Sequence, residues 1–74
     1  MAPQPLAYRD FVRVCIALRQ LRDSSAHLDI WLIRDALVAK FRENRPALAA
    51  TLSRLTNEEI KTLVTHADRH NASS

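Results

Sequence analysis

The sequence contains no glycine at all. That absence excludes phosphate-cradling loops, nucleophile elbows and most tight hairpin turns, which need backbone at positive φ or very close approach of a ligand. Cysteine occurs once, as Cys15, so no internal disulfide can form, and no group of Cys and His has the spacing of a structural zinc site. No run of about 18 apolar residues is present to cross a bilayer, and "MAPQPLAYRD" lacks the basic-then-apolar order of a secretory signal. The expectation is a cytoplasmic protein that carries no cofactor and does not enter a membrane.

What remains is ordinary for a folded chain: 47% of residues are hydrophobic and 26% are charged, a balance unlike that of disordered segments. The net charge is +3, and every basic residue except Lys40 and Lys61 is an arginine, the side chain suited to bidentate contact with carboxylate or phosphate. At 74 residues a single core is marginal, because small folds bury a smaller fraction of their surface than large ones. With neither disulfide nor zinc available as a staple, association is the device left.

The apolar spacing predicts an all-α fold, a small bundle of two longer and two shorter helices forming one domain over residues 6–70. Residues 1–5, with Pro3 and Pro5, read as an extended lead-in. Over 6–22, Phe11, Val14, Cys15, Leu18 and Leu21 share one face, while Val12 and Ile16 lie off it beside Arg9 and Arg13. "DSS" at Asp23 to Ser25 offers N-caps for a second helix over 26–43 with a main stripe of Ile30, Ile33, Leu37 and Phe41. Trp31 and Val38 form a neighbouring strip, and Leu28, Leu32, Ala36 and Ala39 a third. Asn44 and Pro46 mark a stop or kink before a third helix over 46–54. Thr56 and Glu59 have capping-box spacing, with Leu55 and Ile60 as a hydrophobic staple, so a fourth helix is expected over 57–70, followed by a frayed tail at 71–74.

The second helix carries more apolar surface than one face can hold, and three neighbours cannot easily take Val12, Ile16, Trp31 and Val38 as well. A homodimer with a continuous core is therefore expected; the alternative is that this helix is the buried centre of a monomer. The candidate protein interface comprises Val12, Ile16, Trp31, Val38, Leu28 and Leu32. Beside it, Arg9, Arg13, Lys40, Arg42 and Arg45 make a candidate basic patch for phosphate or an acidic protein. Metal binding is not expected, and the residues nearest to a ligand set are His66, His70 and Glu59 on one helical face. No nucleophile with a base and no converging pair of acids is recognisable, which argues against an enzyme.

Two readings of function follow. The leading one is a small non-enzymatic regulator, adaptor, inhibitor or chaperone of bacterial, plasmid or phage type, acting by protein-protein binding. The rival is a DNA-binding regulator or nucleoid-associated modulator that uses the basic patch or a degenerate helix-turn-helix in "ALAATLSRLTNEEIKTLV", with Ala50, Leu55, Ile60 and Leu63 pointing inward. In that helix-turn-helix, Arg54 would occupy the turn and Glu58 and Glu59 would face the nucleic acid. "PLAYRDFV" and "LTNEEIKTLVTHADRH" resemble the opening and the fourth-helix segment of the Hha/YmoA family, through Pro5, Leu6, Asp10 and Phe11, then Leu55, Thr56, Glu59, Ile60, Ala67 and Asp68. The resemblance covers under half the chain, which carries about one helix more than that family. It implies a helical modulator that binds a nucleoid-structuring protein.

Overall fold

A computed structural model describes residues 6–25 and 27–73. The expected lead-in at 1–5, the helix start at Ala26 and the final residue of the tail, Ser74, lie outside them. Among the described residues there is no strand; the helices are α1 (Tyr8–Ser24), α2 (Ile30–Phe41), α3 (Pro46–Arg54) and α4 (Asn57–Ser73). No helix is long and apolar enough to cross a membrane among those residues.

A chain without glycine ends its helices without left-handed caps. No described residue has positive φ. Ser25 and Leu55 instead close α1 and α3 in extended conformation, their N–H groups donating back to the carbonyls of Leu21 at 2.8 Å and Leu52 at 3.3 Å. Pro46 opens α3, where its missing N–H costs nothing.

Helix starts follow a rule the sequence states more than once. The capping box forms as expected: the Glu59 carboxylate accepts from the Thr56 N–H at 2.9 Å and the Thr56 hydroxyl accepts from the Glu59 N–H at 3.1 Å. Leu55 before this cap and Ile60 after it are both buried. The same placement recurs at α1, where Leu6 and Phe11 flank the N-cap Ala7, and at α2, where Leu28 and Ile33 flank the N-cap Asp29. These two staples set boundaries that differ from the sequence expectation. The first helix spans 8–24 instead of 6–22, because Leu6 turns inward ahead of it. The second begins at Ile30 and ends at Phe41 instead of spanning 26–43, so "DSS" closes α1 and does not cap α2.

The fourth helix also departs from expectation. It continues past His70 to Ser73 because Asn71 is held: its Nδ2 donates to the Cys15 carbonyl at 3.0 Å. The two long helices are thus α1 and α4, with 17 residues each, while α2 has 12. A continuous core draws on all four, with Val14, Leu18, Ile33, Leu37, Leu52 and Ile60 almost fully inaccessible. The strongest packings are α1 on α4 and α2 on α3, and α2 also touches α1 and α4. Helices two and three are separate, joined by a turn at residues 42–44.

Candidate protein-binding surfaces

Two surfaces emerge on α2, one beside its C-terminal end and one on its outer face. The first is an open groove of about 280 Å³ lined by Arg13 and Ile16 of α1, Lys40 and Phe41 of α2, and Asn44 and Arg45 of the following turn. Three residues of the expected basic patch thereby meet one residue of the expected interface. Arg9 and Arg42 are exposed but do not line the groove. Phe41 is buried and supplies the floor, whereas Ile16 is 54% exposed and forms an apolar edge. Arg13 is paired with Asp10 at 2.8 Å. Lys40 and Arg45 make no salt bridge or side-chain hydrogen bond among the described residues. Small-molecule pockets run from roughly 300 to 1,000 Å³ and enclose most of their ligand; this groove is smaller and open. It suits one anchoring side chain of a larger partner, with carboxylates around it.

The second surface is the outer face of α2. Ile33, Leu37 and Phe41 point into the core, yet the opposite side also carries apolar groups, with Trp31 54% and Leu32 37% exposed. Of the expected interface residues, Ile16, Trp31 and Leu32 are therefore open to solvent. Val12 is half-buried. Leu28 and Val38 differ from expectation, since both pack partly against the chain's own core; Leu28 does so as the outer half of the α2 staple. Phe41 and Asn44 were not expected in a site. Phe41 reads as the end of the core stripe and Asn44 as a stop, although Asn44 lies four residues after Lys40 and so shares its flank.

Elsewhere the chemistry is quiet. His66, His70 and Glu59 do not assemble: the Glu59 carboxylate is engaged at the cap, and His70 stacks edge-on against Phe11 with ring centroids 5.7 Å apart. Among the described residues, no group of three or more His, Cys, Asp or Glu could hold a metal ion. Nδ1 of His70 is enclosed and has no hydrogen-bond partner among the described residues, a local cost within the α1–α4 packing.

Cys15 is buried against α4. Loss of hydration pushes its thiol above the usual thiol range, a backbone hydrogen bond at Cys15 opposes this, and the Asp68 carboxylate adds to the rise. It stays protonated at neutral pH and is poorly nucleophilic. Because its folded pKa is raised, its contribution to stability is complete below the ordinary thiol range and is lost as pH climbs through the raised value.

The helix-turn-helix expectation fares unevenly. Leu55, Ile60 and Leu63 are inward, but Ala50 is exposed. Only Leu55 and Thr56 separate α3 from α4, fewer than the three or four residues such a turn uses. Glu58 and Glu59 open α4, where carboxylates suit the helix dipole and would repel phosphate.

No protein-family profile, curated protein or solved structure matches this chain. The resemblance of its two segments to the Hha/YmoA family does not extend to a family match.

Proposed function

We propose that this chain is a small non-enzymatic helical adaptor or regulator that works as a homodimer and docks an acidic segment of another protein in the groove between α1 and the end of α2. The supporting observation is the groove itself: among the described residues Lys40 and Arg45 have no ion pair, and they stand beside the apolar pair Ile16 and Phe41. Cations around an apolar floor favour a peptide that brings carboxylates together with one aliphatic or aromatic anchor. The anchor supplies affinity by burial, and the carboxylates set orientation and speed of encounter.

Fluorescence anisotropy with labelled acidic peptides carrying a single Leu, Phe or Trp tests this reading, with duplex DNA titrated in parallel. Lys40→Glu and Arg45→Glu should each weaken peptide binding about tenfold. Ile16→Gln, which changes no charge, should weaken peptide binding and leave any phosphate contact intact. If DNA binds more tightly than every peptide at low salt, fades steeply as salt rises and ignores Ile16→Gln, the chain is instead a phosphate-binding regulator.

A further inference from the structure

We infer that the outer face of α2 is complementary to itself and pairs with the same face of a second copy, antiparallel about a two-fold axis. This rests on the homodimer reading above and specifies its surface and direction.

Placed at about 100° per residue, Trp31, Asp35, Ala39 and Arg42 fall within one arc opposite the buried Ile33–Leu37–Phe41 stripe, and Leu32 borders it. All five are exposed. On this face the large apolar groups, Trp31 and Leu32, stand in the first turn, and the small Ala39 stands near the end. Charge rises, from Asp35 to Arg42. Neither of these two charged groups has an ion pair or side-chain hydrogen bond among the described residues.

A parallel pairing would set indole against indole and guanidinium against guanidinium. An antiparallel pairing centred between Val38 and Ala39 sets Asp35 of each copy opposite Arg42 of the other, and Trp31, one turn before Asp35 on the same arc, reaches the face of that guanidinium, with the small Ala39 beside the axis. Antiparallel helix dipoles add to the preference. A two-fold interface requires a patch that matches itself, as this one does in its charges.

Lys40 projects from the other flank of the helix, toward the groove, so self-pairing leaves the groove free. Twelve helical residues span only about 18 Å. The buried area then falls below the roughly 800 Å² per partner of a standard interface, and the dissociation constant should be about micromolar or weaker.

Sedimentation equilibrium over a concentration series reads this directly, with circular dichroism confirming that each surface variant is folded. Asp35→Arg and Arg42→Asp alone should each raise the dissociation constant about tenfold, and the two together should bring it back to within about threefold of the starting value. Trp31 emission should shift to the blue as the dimer forms. A chain that stays monomeric at every concentration overturns both the homodimer and this pairing. A dimer whose affinity ignores the single exchanges, or is not recovered by the double one, overturns the antiparallel α2 pairing and leaves the homodimer standing.

Discussion

The α1–α4 pair and α2 solve the same packing problem with opposite economies. Each long helix has one main apolar stripe, and the two stripes meet. The pair is then clasped at one end by polar contacts: Arg22 reaches both carboxylate oxygens of Asp68, at 2.9 and 3.4 Å, and Asn71 holds the Cys15 carbonyl. By contrast α2 is apolar around most of its circumference, and its polar tether is Arg34, which donates to the Leu55 carbonyl at 3.4 Å. The long pair buries its main stripes within one chain and leaves Ile16 of α1 exposed at the groove. The short helix fills the middle of the core and still leaves Trp31 and Leu32 in water. A side that is finished carries stability, and one that is not is available for binding.

Substitutions can sharpen or break this contrast. The largest effect is expected at Leu37, fully buried on α2: Leu37→Ala should cost about 2–5 kcal/mol in urea denaturation, enough to unfold much of so small a chain. A smaller effect belongs to the start of α4, where Thr56→Ala removes half of the capping box and should cost about 1 kcal/mol. Smaller again is the clasp on the long pair. Both side chains of the Arg22–Asp68 bridge are more than a third exposed, so Arg22→Ala should cost under about 1 kcal/mol, and concentrated salt should shrink the difference.

Least of all should come from Trp31→Ala, on the same helix as Leu37. Measured at concentrations where the chain is monomeric, stability should move by no more than about 0.5 kcal/mol. If Trp31→Ala instead proved as costly as Leu37→Ala under those conditions, the indole would be part of the monomer's core and the contrast within α2 would vanish.

Much of the fold was legible in the residues. The all-helical class, the bounds of α3, the start of α4 and the main stripes of α1 and α2 follow from three- and four-residue spacing and from the Thr56–Glu59 box. The starts of α1 and α2 could have been read from Leu6/Phe11 and Leu28/Ile33, which repeat the Leu55/Ile60 signal in plain view. Asp23, Ser24 and Ser25 carry the side chains of N-caps yet close α1, because a hydroxyl or carboxylate signals a helix start only when the chain turns there. The resemblance of the two segments to the Hha/YmoA family shares this origin, since Leu6, Phe11, Leu55 and Ile60 are staple residues and recur wherever a helix is entered in this way.

The groove was visible only in part. Spacing along the chain groups Arg13, Lys40 and Arg45 in one patch and Ile16 in another, but their meeting depends on how α1 lies across the end of α2. Periodicity along one helix fixes which residues share a face; it contains no term for the neighbour that face will meet. The sequence alone therefore determined the helices, their inward stripes and the excess of apolar surface on α2, because those are local properties of spacing and composition. Only tertiary packing decided that Leu28 and Val38 are drawn to the core while Trp31 and Leu32 stay outside, that Asn71 extends α4, and that cations and apolar edge converge. Those outcomes depend on crossing geometry between segments distant in the chain.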